Sequence, residues 1–416
     1  MAKNKIGIVS LGCARNLVDS EVILGRLKRK KYQIVDLDFA DIVLVNTCAF
    51  IKEAKEESIK VILDLIQAKS EGKLKKVIVA GCLSQRYKEE LSRQLPEIDA
   101  FLGVLSLNHT EDRFRLSPAH YAYVKICEGC INSCSFCVIP KIKPKFSSRD
   151  PKSIISQISA LDDQGCREIN LIGQDISAYG WDLYREYRLP FLIKKILKAS
   201  KNINWLRLLY LSPQRLTDQL IELIARHPQI VKYVDLPLQH INNRILKLMH
   251  RDINSSGILK LIDKIRKNIP NVALRTSLIV GFPGETDKEF KQLLDFVQQV
   301  KFERLGLFIY SREEDTRAFN FSGQVTEKRK QERYNIIMSR QQEIAREVNQ
   351  KWQSKTLKVL IEEKQEPGIY IGRSQYDAPE VDGLVFVKSE KELSIGNFVD
   401  VEIIDTLEYD LVGDAK

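Results

Sequence analysis

The chain has 416 residues, more than one ordinary hydrophobic core accommodates, so two or three domains are expected. Hydrophobic residues make up 44% of it, as in a typical globular protein, and no apolar run approaches the length that spans a bilayer. The first residues become polar too quickly for a signal peptide, so we expect a cytoplasmic protein with no membrane partner. Eight cysteines in such a chain favour metal ligation or catalytic thiols over disulfides.

The net charge of +10 is unevenly distributed along the chain. Residues 1–352 carry a balance of +17, whereas residues 353–416 carry 7 Lys and Arg against 14 Asp and Glu, a balance of −7. Phosphate backbones would repel this acidic end. The charge therefore favours a basic protein partner and no obligatory nucleic acid, although a solvated surface with a chance acidic tail is the plainer alternative.

Residues 1–105 repeat one pattern three times: an apolar strand, a cysteine and an amphipathic helix. Alternating strands and helices predict an α/β domain with a parallel sheet, whose strands share one carboxyl edge. We therefore expect Cys13, Cys48 and Cys82 to gather at one rim, although each alone could be a buried small hydrophobe. The predicted strands are Ile6–Ser10, Ile42–Val45 and Val77–Ala80, with helices from about Leu17 to Lys30, Lys52 to Ala68 and Gln85 to Gln94.

Residues 106–120 are interpreted as a linker into a central domain, 121–352, whose first strand leads to a cysteine-rich loop. Cys130, Cys134 and Cys137 have C-x3-C-x2-C spacing, which lets three thiolates converge on an iron–sulfur cluster. Three cysteines on a [4Fe–4S] cube leave one iron without a protein ligand, and an open metal position is a place for chemistry. Cys127 leaves two alternatives open, because it could add a fourth sulfur for structural zinc or a closed cluster, or pack as a small hydrophobe.

Six strands alternate with helices between residues 121 and 310, which predicts an incomplete (βα)6 barrel. The active site of such a barrel lies at the carboxyl ends of its strands, and the cysteine loop follows the first strand. Residues 326–352 predict a charged helix that packs back on the barrel. The predicted strands are Tyr123–Cys127, Glu168–Ile172, Trp205–Leu211, Tyr233–Leu238, Ala273–Val280 and Arg304–Tyr310.

Polar and glycine residues follow three of these strands and are candidates for lining the site. Glycine permits close backbone approach to a ligand, although a plain turn with Thr286 as helix N-cap is compatible. A lone histidine near a strand end is also more often structural than functional. The candidates are Gly173, Gln174 and Asp175 after the second strand, Gln239 and His240 after the fourth, and Gly281 and Glu285 after the fifth.

Residues 353–416 change from helical periodicity to short β-branched runs. Turn signals at Pro367-Gly368 and Asp382-Gly383 separate these runs, which predicts a small all-β barrel. The predicted strands are Leu357–Ile361, Leu384–Val387 and Phe398–Ile404.

The run from Glu128 to Pro140, with Phe136 directly before the last cysteine, resembles the radical S-adenosylmethionine (SAM) superfamily. Its wider context, Tyr123 to Cys130, is similar to the methylthiotransferase branch, and the last domain resembles the TRAM domain that closes those enzymes. The resemblance implies that Cys130, Cys134 and Cys137 hold a [4Fe–4S] cluster whose open iron binds SAM. It also implies a second such cluster on Leu11-Gly12-Cys13, Asn46-Thr47-Cys48 and Gly81-Cys82, and SAM contacts from Phe136 and the strand-end candidates.

Two branches of this family share these motifs: one modifies a tRNA adenosine, the other an aspartate of small-subunit ribosomal protein twelve. The segment Tyr376–Gly383 and the turn Gly173-Gln174-Asp175 resemble the ribosomal-protein branch, and an acidic last domain suits a basic ribosomal protein. The resemblance implies that an electron donor such as a flavodoxin or ferredoxin drives SAM cleavage to a radical. The resemblance further implies that the radical takes hydrogen from the aspartate β-carbon, that the second cluster supplies sulfur there, and that a second SAM methylates it.

We expect a monomer and assign no role to Cys166. The tRNA-adenosine methylthiotransferase remains the alternative within the family. A non-catalytic zinc-dependent binding module is the alternative outside it, with ligands Cys127, Cys130, Cys134 and Cys137.

Overall fold

The computed structural model describes residues 4–104, 113–143 and 145–416. The N-terminal domain is a parallel sheet with strands in the order β2-β1-β3-β4-β5 and helices between them. The short edge strands β2 and β5 were not predicted from sequence, because two residues carry no periodicity. The elements are β1 (Lys5–Ser10), α1 (Ala14–Arg29), β2 (Gln33–Ile34), β3 (Ile42–Thr47), α2 (Lys52–Ser70), β4 (Lys76–Gly81), α3 (Cys82–Gln94) and β5 (Ala100–Phe101).

The proposed linker, 106–120, lies partly outside the described residues. Its described part is held against α1, because the carboxylate of Glu21 accepts hydrogen bonds from the backbone N–H of Leu116 at 2.9 Å and of Ser117 at 3.1 Å. Arg113 forms an ion pair with the same carboxylate. This part of the linker therefore fixes the N-terminal domain to the chain that enters the central domain.

The central domain is an open barrel of parallel strands, β6, β9, β10, β11, β12 and β13, with helices on its outer face. β9 pairs with β6 and β10, β12 pairs with β11 and β13, and a parallel bridge from Leu206 to Ile230 joins the two halves. This confirms the predicted incomplete barrel, although β10 and β11 end earlier than expected. The elements are β6 (Tyr121–Lys125), β7 (Cys127–Glu128), α4 (Ile139–Ile142), β8 (Ser147–Ser148), α5 (Pro151–Asp163), β9 (Glu168–Ile172), α6 (Trp181–Tyr184), α7 (Leu189–Ala199), β10 (Trp205–Leu208), α8 (Asp218–Arg226), β11 (Tyr233–Asp235), α9 (Asn243–Leu248), α10 (Ser255–Asn268), β12 (Ala273–Val280), α11 (Asp287–Val300), β13 (Arg304–Ile309) and α12 (Glu327–Gln350).

The sequences of two outer helices, α11 and α12, explain where α11 begins and why α12 packs on the barrel. α11 begins with a capping box in which Thr286 and Glu289 exchange side-chain and backbone hydrogen bonds, an arrangement that typically contributes about 1 kcal/mol. The charged helix α12 packs on the barrel as predicted, because Ile337 and Ile344 are buried in the main core.

The C-terminal domain is a closed barrel in the order β14-β15-β16-β18-β17, which confirms the predicted small β-barrel. It packs on the amino ends of the central strands: Ala378 and Leu360 lie in one cluster with Tyr121 and Trp205. Buried polar contacts reinforce this junction, and the hydroxyl of Tyr233 donates to Asp382 Oδ2 at 2.5 Å. The C-terminal domain thus closes the end of the open barrel that lies away from the cysteine loop. Its strands are β14 (Thr356–Glu366), β15 (Ile369–Ser374), β16 (Val385–Lys388), β17 (Phe398–Thr406) and β18 (Leu411–Ala415).

No helix in the described ranges is both long enough and apolar enough to cross a membrane.

Candidate active site

The cysteine loop lies at the carboxyl end of the open barrel and opens onto a cavity of about 380 Å³. Cys130, Cys134 and Cys137 are half-buried, and all three line the cavity. This volume lies in the usual range for small-molecule sites. Burial raises the pKa of Cys130, and it raises the pKa of Cys137 to about 12.

Two of these sulfurs receive hydrogen bonds from neighbouring side chains. The backbone N–H and the side-chain amide of Asn132 both lie 3.4 Å from Cys130 Sγ. Arg251 Nη1 lies 3.6 Å from Cys134 Sγ, and its other terminal nitrogen donates to the carbonyl of Pro237 at 2.7 Å. Hydrogen bonds to sulfur ligands are a main means by which proteins tune iron–sulfur clusters. The donor set therefore fits a cluster at this loop.

The second group of thiols lies where three neighbouring parallel strands end. Cys13 precedes α1 after β1, Cys48 follows β3, and Cys82 is the first residue of α3 after β4. Asn16 ties their loops together, since its side-chain amide donates to the carbonyls of Leu11 at 2.9 Å and Thr47 at 3.0 Å. The Asn16 side-chain oxygen lies 3.9 Å from Cys82 Sγ.

The glycines before Cys13 and Cys82 are needed for this convergence. Gly12 has φ of +88° and Gly81 has φ of +93°, both in the left-handed region that favours glycine. A Cβ on Gly12 would stand 2.7 Å from the Cβ of Cys48, and one on Gly81 would stand 2.3 Å from the Asn46 side-chain oxygen. The Leu11-Gly12-Cys13 and Gly81-Cys82 motifs therefore have a steric explanation.

Arg15 connects the N-terminal thiols with the central barrel. Its Nε donates to Cys13 Sγ at 3.4 Å, its Nη1 donates to the carbonyl of Gly173 at 3.1 Å, and its guanidinium lies 4.7 Å from the centre of the Tyr210 ring. Burial alone would raise the pKa of Cys13, but the charge and hydrogen bond of Arg15 outweigh it and lower that pKa overall. Arg15 also lines the cavity, so one side chain contacts both Cys13 and the site of the barrel cysteines, although Cys13, Cys48 and Cys82 do not themselves line that cavity.

The cavity is closed on one side by the N-terminal domain. Phe50 and Ile51 of that domain line it together with Tyr310 of the barrel. Glu313 of the barrel also lines the cavity. Its carboxylate forms ion pairs with two cations of the N-terminal domain, Lys55 Nζ at 2.7 Å and Arg86 Nη1 at 2.8 Å. Burial would raise the pKa of Glu313, but these hydrogen bonds lower it overall. The two domains thus form one wall around a largely apolar site.

The structure brings only part of the predicted contact set to the cavity. Phe136, Gln174, Asp175 and Gln239 line it, and Gly173 lies beside it through its carbonyl contact with Arg15. Gln239 has φ of +73°, a turn after which the next side chain, His240, is fully buried.

His240, Gly281 and Glu285 do not line the cavity. His240 Nδ1 accepts from the backbone N–H of Asn242 at 3.0 Å. Glu285 Oε2 accepts from the backbone N–H groups of Gly281 and Phe282 and lies 3.5 Å from Arg333 Nη1. His240 therefore stabilises the turn after β11, and Gly281 and Glu285 stabilise the turn after β12. These are the structural roles that the sequence analysis gave as the alternative to ligand binding.

Cys127 is fully buried in the main core, and its thiol lies 3.7 Å from the carbonyl of Asp175. Burial raises its pKa well above the ordinary value. Across residues 4–104, 113–143 and 145–416, no three His, Cys, Asp or Glu side chains are arranged to hold a single metal ion. The burial of Cys127 and its contact with the Asp175 carbonyl favour the alternative in which this cysteine packs as a small hydrophobe.

Three arginines that line the cavity were not predicted from the sequence: Arg15, Arg251 and Arg275. For Arg275 a signal existed, because Arg275, Ser277 and Ile279 alternate on the predicted strand 273–280 and all face the cavity. Arg15 and Arg251 lie on or after helices, where local sequence does not indicate the barrel mouth.

An open (βα)6 barrel whose first strand leads to a C-x3-C-x2-C loop beside a small-molecule cavity defines a radical SAM enzyme. Residues 124–297 match the family model described as the Radical SAM superfamily, residues 5–103 match "Uncharacterized protein family UPF0004", and residues 355–415 match the TRAM domain. Among solved structures, the radical SAM methyltransferase TsrM from Kitasatospora setae superposes with a TM-score of 0.54 at 13% identity, covering 74% of this chain and 75% of that one. At that identity the likeness concerns the fold alone.

Full-length relatives are far more similar. The ribosomal protein uS12 methylthiotransferase RimO of Clostridioides difficile (strain 630) is 45% identical, covering 99% of this chain and 98% of the relative. The protein of the same name from Desulforamulus reducens is 47% identical, and the match covers 98% of this chain and 99% of that relative. This chain belongs to the RimO family of radical SAM methylthiotransferases.

Proposed function

We propose that this enzyme adds a methylthio group to the β-carbon of an aspartate in ribosomal protein uS12, the small-subunit protein twelve. The observation that carries the proposal is that Cys130, Cys134 and Cys137 line one cavity and that Arg15, which lines the same cavity, donates to Cys13 of the N-terminal triad. The names of relatives at 45% and 47% identity support the substrate. The acidic balance of −7 in residues 353–416 suits a basic ribosomal protein better than tRNA.

Each triad has an assigned task in this proposal. Cys130, Cys134 and Cys137 would hold the [4Fe–4S] cluster that binds SAM. A second [4Fe–4S] cluster would take Cys13, Cys48 and Cys82 as its ligands. Bound there, the clusters and SAM would supply a sulfur atom and the radical chemistry that no amino-acid side chain provides.

The residues that line the cavity have two roles in this proposal: they bind SAM and they exclude water. Gln174, Asp175 and Gln239 present amide and carboxylate groups that suit the amino, carboxylate and hydroxyl groups of SAM, and Phe136 offers an apolar surface. Phe50, Ile51 and Ile279 exclude water, which protects a reactive intermediate from side reactions. His240, Gly281 and Glu285 act on this site only by holding the turns after β11 and β12 in place.

The proposal extends to the cell and the partners. A ribosomal protein substrate places the enzyme in the cytoplasm. SAM cleavage requires one electron from a protein donor of the flavodoxin or ferredoxin type. We expect the enzyme to act as a monomer.

Two single-cysteine variants, prepared anaerobically with reconstituted iron and sulfide, test the proposal. Cys130→Ala should abolish SAM cleavage to 5′-deoxyadenosine. Cys48→Ala should retain some cleavage but form no methylthiolated uS12, as measured by mass spectrometry of the substrate. Cys166→Ala, which removes another buried thiol, is the matched control and should keep both activities.

Full product formation by Cys48→Ala would remove the sulfur-donor role of the N-terminal triad. Modification of tRNA adenosine in place of uS12 by the wild-type enzyme would refute the proposed substrate.

A further inference from the structure

An aromatic patch lies on the surface of the segment that follows β9. Five large apolar side chains within eleven consecutive positions are between 36 and 48% exposed. Isolated exposed apolar residues are ordinary, but a contiguous set of large ones marks an interaction surface. We define the aromatic patch as Trp181, Leu183, Tyr184, Tyr187 and Phe191.

Positive charges are interleaved with the patch. Residues 181–198 contain five Lys and Arg against two Asp and Glu. The guanidinium of Arg188 lies 4.2 Å from the centre of the Tyr184 ring, and Lys195 Nζ lies 4.6 Å from that of Phe191. Aromatic rings framed by cations suit a partner with an acidic surface.

A chain of contacts runs from the patch to the cysteine loop. The rings of Trp181 and Tyr187 stack with centres 5.1 Å apart, and the guanidinium of Arg215 lies 5.7 Å from the centre of the Tyr187 ring. Arg215 Nη2 donates to the Asn132 side-chain oxygen at 2.6 Å, and the Asn132 amide nitrogen lies 3.4 Å from Cys130 Sγ. Four contacts thus connect an exposed tryptophan with a sulfur of the proposed SAM cluster.

We propose that the aromatic patch is the docking site for the electron donor, an acidic one-electron carrier protein, and that the contact chain through Tyr187, Arg215 and Asn132 is its route to Cys130. The proposal rests on the proposed function, because only a cluster at Cys130 needs this electron. In the step, the reduced carrier loses one electron, the cluster at Cys130 gains it, and no bond forms or breaks. The basic substrate uS12 is a poor occupant, because the charge of residues 181–198 has the same sign as its own.

The test uses a purified flavodoxin and the reconstituted holoenzyme. The double variant Trp181→Ala/Tyr187→Ala and the charge reversal Arg188→Glu are compared with Phe39→Ala. Phe39 is 66% exposed and lies just before β3, at the amino ends of the strands, whereas the thiols lie at their carboxyl ends. It therefore controls for the loss of an exposed aromatic ring far from the site. The measurements are flavodoxin binding by calorimetry at two salt concentrations and the rate of cluster bleaching by reduced flavodoxin or by dithionite.

We expect both patch variants to weaken flavodoxin binding and slow flavodoxin-driven reduction by at least about tenfold, since aromatic and arginine anchors dominate such interfaces. Dithionite needs no docking surface, so its rate should not change, and Phe39→Ala should match the wild type. Tyr187→Phe keeps the ring and should retain the wild-type rate. Raising the salt concentration should weaken binding to the wild type more than to Arg188→Glu.

Two outcomes would overturn the proposal: unchanged flavodoxin binding in both patch variants, or reduction by dithionite that is slowed as much as reduction by flavodoxin. The proposed function fails separately. If flavodoxin reduces the wild-type cluster but uS12 receives no methylthio group, the substrate assignment is wrong and the docking site stands.

Discussion

Arg373 joins the C-terminal barrel to the underside of the central barrel, and its replacement should be among the most destabilising single changes outside the active site. Its side chain is 1% exposed. It donates to Glu168 Oε2 at 2.6 Å, to Glu362 Oε1 at 2.7 Å and to the carbonyl of Asp377 at 2.8 Å. Burial would raise the pKa of Glu168, but Arg373 and Arg207 outweigh it and lower that pKa overall.

Arg373→Ala leaves the fully buried carboxylate of Glu168 with Arg207 as its remaining cation and removes the donor to the Asp377 carbonyl. Breaking a buried ion pair by removing one partner costs about 3–5 kcal/mol, because the other charge stays buried and poorly compensated. The exposed pair Lys364–Glu392 provides the contrast, since such pairs contribute at most about 1 kcal/mol.

Urea unfolding followed by tryptophan fluorescence measures the difference. Trp205 lies at this junction, with its ring centre 4.7 Å from that of Phe398, so its emission reports separation of the two barrels. Arg373→Ala should lower the free energy of unfolding by about 3–5 kcal/mol and Lys364→Ala by less than about 1 kcal/mol. In a double-mutant cycle with Glu168→Ala, the two losses should not add, because they share one interaction. A loss in Arg373→Ala no larger than in Lys364→Ala would refute the argument.

Three further predictions concern the site. Cys127→Ala should keep the iron and sulfide content of the wild type while lowering the free energy of unfolding by about 1–3 kcal/mol, and a loss of bound metal would restore the four-sulfur alternative. Arg15→Met should lower uS12 methylthiolation about 10–100-fold more than 5′-deoxyadenosine formation, as quantified by chromatography, because it removes a hydrogen bond to a sulfur of only one triad. The carboxylate of Glu313, whose folded pKa is lowered by Lys55 and Arg86, stabilises the domain contact above the ordinary glutamate pKa of about 4.3, and this stability is lost as the pH falls through the folded value. Glu313→Gln should therefore lower the melting temperature at pH 7 and flatten its fall below about pH 4.3, and an unchanged acid profile would contradict the assigned contact.

Much of the fold was available from local sequence. The alternation of apolar strands and amphipathic helices predicted the parallel sheet and the open barrel, and two central strands, Glu168–Ile172 and Ala273–Val280, have the predicted bounds. Strands of two residues were missed because so short a run has no period. In the C-terminal barrel, β15 (Ile369–Ser374) and β18 (Leu411–Ala415) were also missed, because glycines at Gly372 and Gly413 interrupt their apolar pattern.

The candidate site likewise contains residues whose position could be predicted from the sequence and residues whose position could not. The proximity of Cys130, Cys134 and Cys137 follows from chain connectivity, since all three lie within eight consecutive residues of one loop. His240 and Glu285 follow barrel strands as Gln239 does, yet they are buried beside the cavity wall and do not line it. Sequence position identifies a strand end, but the direction of each side chain there depends on backbone turns such as the positive φ of Gln239.

Local sequence was enough to indicate the class of cofactor chemistry, through the spacing of three thiols and the resemblance of their loop to radical SAM enzymes, and to indicate the order of the domains, through the period of the apolar residues. The gathering of Cys13, Cys48 and Cys82 at one sheet edge was also predicted, but the three-dimensional fold was needed to show that Arg15 joins Cys13 to the barrel and that Asp382 reaches Tyr233 at the barrel floor. The physical reason is that spacing within a loop is limited by covalent geometry. Contacts between residues a hundred or more positions apart depend instead on which strands become neighbours and which faces they bury.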